Sequence, residues 1–192
     1  LIFDYKLSGR SFSWSRYYHG LDIQLGIYML AVANGGIKAV GAFYVPIEVR
    51  PSKTSFSKID KQSDKFGYKA KGVFDGQYFE HLDKTVQSGR SVFYNFGVSK
   101  NDAQFGYYSS IGALKPQHFR YFLTFTENKI CSLAAAMTAG QIDVSPYRLN
   151  TEIPCTWCEF RPVCRFDWQI NGYRILESLG KNEFLAEAGG EE

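Results

Sequence analysis

Asp4 and Lys6 are the first residues able to do chemistry. They close the run Leu-Ile-Phe-Asp-Tyr-Lys at positions 1–6, whose apolar content reads as a buried β-strand. Strand side chains alternate, so Asp4 and Lys6 share a face. A carboxylate and an ammonium at the end of a buried strand are costly unless they are paired or put to use. One use is phosphodiester hydrolysis: the carboxylate holds a divalent cation, and the lysine positions the attacking water and stabilises developing negative charge. The alternative for an isolated pair is a strand-end salt bridge.

Two further groups add to this pair. Gln24 and Tyr28 stand one turn apart on one face of a helix predicted from about Leu21 to Val32. Polar residues on an apolar helix are usually satisfied core groups; these can also face the strand end and a DNA backbone. Near the other terminus Cys155, Cys158 and Cys164 form a C-x2-C-x5-C pattern that brings three thiolates within reach of one metal centre. Cys131 falls in a predicted helix beside an apolar stripe and reads as core packing. A fourth ligand is therefore expected upstream of residue 1. Zinc is the commoner occupant of generic C-x2-C sites, and unligated loop cysteines are the remaining alternative.

These groups need a scaffold. With 192 residues, 45% of them hydrophobic, the chain suits one globular domain with a sizeable core. A net charge of +3 does not by itself indicate nucleic acid. No apolar run is long enough to span a membrane, and no signal-peptide layout is present. The chain lacks an initial Met and opens inside a strand, which reads as a fragment of a longer protein. In such a context clustered cysteines favour a metal or cluster site over disulfides.

The loop at 7–18 carries Arg10, Arg16 and Tyr17, candidates for phosphate contact, with a solvated loop as the alternative. Asn34-Gly35-Gly36 stops the first helix. A strand follows within 38–50, where Pro46 suggests a sheet edge or a bulge. Residues 51–70 read as an exposed connection. A short strand or turn is expected at 72–76 and a short helix at 81–87. A hairpin is expected from 91–98 and 104–109. Leu114 to about Ala139 reads as a long helix whose core stripe is Phe119, Phe122, Leu123, Thr126, Ile130, Leu133 and Met137. The last dozen residues read as frayed.

Asp-x-Lys, then Gln-x-x-x-Tyr, then a cysteine cluster is an order that resembles the RecB-like branch of the PD-(D/E)xK nucleases. Lys69-Ala-Lys-Gly-Val-Phe, Leu82-Asp83, Ser109-Ser110, Gly140-Gln-Ile-Asp-Val-Ser-Pro-Tyr-Arg148, the block Pro154–Asp167 and Asn171-Gly-Tyr-Arg-Ile-Leu176 narrow it. Together they resemble the C-terminal nuclease domain of AddB, a component of bacterial AddAB helicase–nucleases, over nearly the whole chain.

The resemblance implies an α/β fold: a PD-(D/E)xK, restriction-endonuclease-like core with a mixed central sheet flanked by helices, N-terminally truncated, with a C-terminal iron–sulfur segment. The nuclease domain would be 1–180, the cysteine segment 153–168 and a flexible tail 181–192. Asp4 and the Tyr5 carbonyl would hold Mg2+ (or Mn2+), with Lys6 catalytic and Gln24 and Tyr28 supporting. Cys155, Cys158 and Cys164 would be three of four ligands of a 4Fe-4S cluster. The family's other metal-binding Asp and first cluster cysteine would lie upstream, so the fragment alone is expected to be inactive. The implied function is exonucleolytic resection of broken DNA ends in the bacterial cytoplasm with the AddA subunit, cutting the strand of 5′ polarity. The implied substrates are double-stranded ends and unwound single strands, with no membrane partner. Two alternatives remain at this level: an inactive DNA-binding or scaffolding module, and a CRISPR-associated adaptation exonuclease.

Overall fold

The computed structural model describes residues 1–7, 11–48, 69–99 and 112–189. Four strands form the central sheet. Strand β1 (Ile2–Lys6) lies parallel to β2 (Gly41–Pro46). A parallel pair needs a crossover, supplied by helices α1 (Trp14–Tyr18) and α2 (Gln24–Asn34). Strand β3 (Lys71–Asp75) is antiparallel to β2 and parallel to the short β6 (Ala113–Leu114). The order across the sheet is β1-β2-β3-β6. The sheet is therefore mixed, as expected of an α/β fold.

Its two faces differ in cover. Ile2, Ala42, Tyr44, Val73 and Leu114 point into a core with Leu25 and Met29 of α2 and Phe119 and Phe122 of α4 (Pro116–Thr138). Phe43, Phe74 and Ala113 point the other way, onto Phe96 and Val98. That side is closed by the segment holding a one-turn helix α3 (Phe79–Leu82) and the strand pair β4 (Gly89–Arg90) and β5 (Gly97–Val98). After α4 come β7 (Tyr147–Leu149), a short helix α5 (Arg161–Cys164), β8 (Arg174–Leu176) parallel to β7, and α6 (Lys181–Gly189).

Several expectations change in detail. Helix α2 starts at Gln24 rather than Leu21, because the Leu21 and Asp22 amides both bond to the Arg16 carbonyl and complete the turn after α1. Pro46 lies on an interior strand, but β3 pairing ends at Tyr44, so no described partner strand needs its missing N–H on that side. The short helix precedes its expected position. It ends at Leu82 and is followed by Asp83, whose carboxylate accepts from the Thr85 amide and the Ser91 hydroxyl. The strand pair falls within 89–98; the strand expected at 104–109 and nearly all of the 51–70 connection lie outside the described residues.

The stripe on α4 buries only its first half. Phe119, Phe122 and Thr126 are buried, whereas Leu133 is 41% and Met137 79% exposed. Cys131 on the same half is exposed, not core packing. Gly140, at φ +70°, ends the helix. Of the tail expected to fray, Lys181–Gly189 form helix α6: Phe184 is fully buried against Trp14, Tyr17, Phe122 and Phe125. That aromatic burial is large enough to order a short helix.

Candidate active site

Strand β1 ends where its alternation delivers Asp4 and Lys6 to the α2 side of the sheet. Lys6 Nζ sits 2.9 Å from Asp4 Oδ2 and donates to Gln24 Oε1 at 2.8 Å. Gln24 Nε2 in turn donates to Tyr28 Oη at 2.6 Å. Gln24 and Tyr28 meet because they are i and i+4 on α2. The structure thus brings four of the sequence candidates into one linked chain, Asp4–Lys6–Gln24–Tyr28.

Three features suit this chain to a cation and a phosphate. Asp4 Oδ2 is buried and, although close to Lys6, has no hydrogen bond of good geometry. A buried carboxylate oxygen left with charge contact alone is the kind of donor a hard divalent cation takes. The Lys6 carbonyl accepts from the Ile47 amide of the β2 end. Strand alternation then turns the Tyr5 carbonyl toward the outer edge of β1, which no described strand covers. Tyr28 is 37% exposed, so the outer end of the chain meets solvent.

Two residues of this site escaped the sequence reading. Tyr44 lies level with Asp4 on β2, and its ring sits under Lys6, with Nζ 5.3 Å from the centroid. Its hydroxyl donates to Asp22 Oδ1 at 2.7 Å. Tyr44 is 1% and Asp22 9% exposed, so the floor beneath Lys6 is a buried, hydrogen-bonded ring. Only strand register reveals it; in sequence Tyr44 is one more β-former in an apolar run.

The loop candidates for phosphate contact fare differently. Tyr17 is fully buried, stacked on Phe122 at 4.3 Å between centroids, with its hydroxyl bonded to Thr126 Oγ1. Burial pushes the phenol up, and no face is open to DNA. Arg16 is engaged in an ion pair with Glu152, which also accepts from Tyr147 Oη at 2.8 Å; the Glu152 contact holds the guanidinium further in its charged form. Arg10 lies outside the described residues.

Cys155, Cys158 and Cys164 line one cavity of about 310 Å3 with Arg161, Phe166, Trp168 and Tyr173. Proline and the left-handed Arg165 fold the segment back on itself. Among the described residues, no three His, Cys, Asp or Glu side chains converge at metal-binding distance. The donor set is right for a soft metal centre, and the three thiols share a space without being drawn together.

The family model of the PD-(D/E)XK nuclease superfamily matches residues 1–165. The chain belongs to this superfamily. Its relatives include the B subunits of ATP-dependent helicase/deoxyribonucleases from several Bacillus species. It is 27% identical to that of Bacillus cereus (strain G9842), over 99% of this chain and 18% of that protein. It is 29% identical to that of Bacillus velezensis (strain DSM 23117 / BGSC 10A6 / LMG 26770 / FZB42) and 28% to that of Bacillus pumilus (strain SAFR-032), each over 92% of this chain and 16% of the relative. The chain thus spans less than a fifth of the length of these relatives. They are the helicase–nuclease components to which the sequence resemblance pointed. Among the described residues no helix is long and apolar enough to cross a membrane.

Proposed function

We propose that this domain is the Mg2+-dependent DNA exonuclease of an ATP-dependent helicase–nuclease, cutting the 5′-polarity strand as broken ends are resected. The single observation that carries the reading is the Asp4–Lys6–Gln24–Tyr28 chain at the end of β1 in a PD-(D/E)XK fold. The names of the relatives support the helicase–nuclease context.

Asp4 Oδ2 and the Tyr5 carbonyl would hold the cation. A bound Mg2+ or Mn2+ would supply Lewis acidity and a nucleophilic water at neutral pH. Gln24 fixes the Lys6 ammonium from one side and the Tyr44 ring supports it from below, so Lys6 is held in place before any substrate arrives. An ammonium fixed in this way stabilises the added negative charge on phosphorus without reorganising at the moment of reaction. Tyr28, at the open end, orients Gln24 and presents a polar edge to the strand backbone. Cys155, Cys158 and Cys164 would supply three thiolates to a 4Fe-4S cluster whose fourth ligand comes from elsewhere. Other carboxylates, and a partner of the AddA type, would complete the machine.

The test uses the helicase–nuclease carrying this domain, duplex DNA labelled on either strand, Mg2+ and ATP, with Asp4→Asn as the variant. The expected result is loss of cleavage of one labelled strand, that of 5′ polarity, with unwinding intact. Equal cleavage of both strands by variant and wild type would overturn the assignment.

A further inference from the structure

Of the residues expected to reach DNA, Tyr17 is buried and Arg16 is paired, yet the sheet end bearing Asp4 and Lys6 has another cation. Strand β3 runs antiparallel to β2, so its start lies at the same end of the sheet as the finish of β1. Register sets Asp4 level with Tyr44, and Tyr44 level with Lys71. Directly paired residues share a face. Asp4, Tyr44 and Lys71 therefore form one row across three strands, with Lys71 about 10 Å from Asp4 at two strand spacings. Lys71 Nζ reaches up to Ser11 Oγ at 3.2 Å, in the segment that leads into α1.

Two more cations lead from Lys71 round the sheet end toward the face that β4 and β5 cover. Lys69, two residues earlier, is partly buried and donates to the Ser91 carbonyl at 2.8 Å. Arg90, next to that carbonyl's residue, is exposed on β4. Burial lowers the Lys69 ammonium's hold on its proton, and the charges of Arg90 and Lys71 push it the same way. Among the described residues none of Lys69, Lys71 and Arg90 joins an ion pair such as Lys6–Asp4 or Arg16–Glu152. Three mutually repelling cations with no carboxylate paired to them among the described residues, the first of them in the row with Asp4, are relieved by an anion that passes among them.

We propose that Lys71, Lys69 and Arg90 form a track that grips the sugar–phosphate backbone of the DNA strand next to the phosphate held at Asp4 and Lys6. The proposal rests on the nuclease reading and adds the residues that hold the strand. Its ligand is a single-stranded phosphodiester chain, held by charge and without base preference. Lys71 is the member nearest the site. Ser11 presets its side chain, so little rotamer freedom is lost on contact.

The experiment is binding of a short dye-labelled oligo-dT by the 192-residue chain, read by fluorescence anisotropy across a salt series. EDTA is present throughout, so that no cleavage intervenes. For single strands each phosphate contact contributes roughly 0.7 to the slope of log K against log salt. The double variant Lys71→Gln/Arg90→Gln is expected to flatten the slope by about 1.4, and Lys71→Arg to keep it. Both altered residues lie outside the apolar core, and the arginine variant controls for misfolding. Oligo-dT binding with an unchanged slope in the double variant would overturn the track while leaving the nuclease reading intact. No salt-dependent binding by the wild type would overturn the track, whereas the nuclease reading stands or falls on strand cleavage by the helicase–nuclease.

Discussion

Tyr17 illustrates how a residue's role depends on where the fold points it. Its ring is stacked on Phe122 and its hydroxyl meets Thr126 Oγ1 inside the core. Thr126 keeps its own bond to the Phe122 carbonyl at 2.7 Å, so removing the phenol oxygen strands no buried donor. Tyr17→Phe should therefore lower unfolding free energy by only about 1 kcal/mol, with oligo-dT affinity unchanged; urea denaturation and anisotropy measure the two effects. A loss of DNA affinity without a loss of stability would return Tyr17 to the binding surface. The contrast with Asp4 and Lys6 explains what was legible. Their pairing follows from local alternation along one strand, and the Gln24–Tyr28 contact follows from helical spacing. Tyr17, Tyr44, Asp22 and Lys71 depend on which strand or helix lies opposite, and no local pattern carries that information.

At the scale of elements, the strand, helix and helix-stop signals around the site hold, and the misses have physical causes. Helix α4 keeps an apolar stripe over its full length, but only its first half finds the sheet; periodicity marks a face, not its partner. Helix α2 crosses α1 and α4 at Gly26, where an added Cβ would lie 2.1 Å from Tyr17 Oη and 2.6 Å from Thr126 Oγ1. That close approach, and not helix propensity, explains a glycine inside the helix carrying Gln24 and Tyr28.

Helix α6 was hidden by its polar composition, since two residues secure it. Phe184 fills the aromatic core, and Lys181 is 4% exposed with its Nζ donating to the Ala113 carbonyl at 2.6 Å. Burial pushes the Lys181 ammonium down to about 8, against about 10.4 in an unfolded chain. Between those values the unfolded chain binds more protons, so this group makes stability rise with pH from about 8 to about 10.4. The penalty for burying the charge is fully present below that window. Urea unfolding near pH 7 and near pH 9.5 should show wild type gaining on Lys181→Met at the higher pH. A gap that does not change with pH would mean that Lys181 keeps the same proton affinity folded and unfolded.

The whole molecule reads as a site and two supports. The mixed sheet sets Asp4 and Lys6 beside α2, and the C-terminal segment is tied back to α1. Ser15 Oγ donates to the Leu179 carbonyl and accepts from its amide, at 2.9 and 2.8 Å. His19 Nε2 lies 2.8 Å from the Glu177 carbonyl oxygen, and Arg16 pairs with Glu152. The cysteine cavity is thus joined, through β7, β8 and α1, to the crossover that leads into α2, the helix carrying Gln24 and Tyr28. The α/β class and the pairing of Asp4 with Lys6 along β1 were legible because they are short-range patterns; these long-range ties were not, because they join residues more than a hundred positions apart.

The central claim is that Lys6 does chemistry. The most direct measurement is the rate of DNA strand cleavage by the helicase–nuclease carrying this domain at saturating Mg2+, wild type against Lys6→Ala, with ATP-driven unwinding read in the same reaction. Loss of a preorganised charge-stabilising donor predicts a fall of about 100- to 1,000-fold in cleavage of one strand, with unwinding unchanged. Cleavage of both strands at the wild-type rate would contradict the account and leave Lys6 as the partner of a buried structural carboxylate.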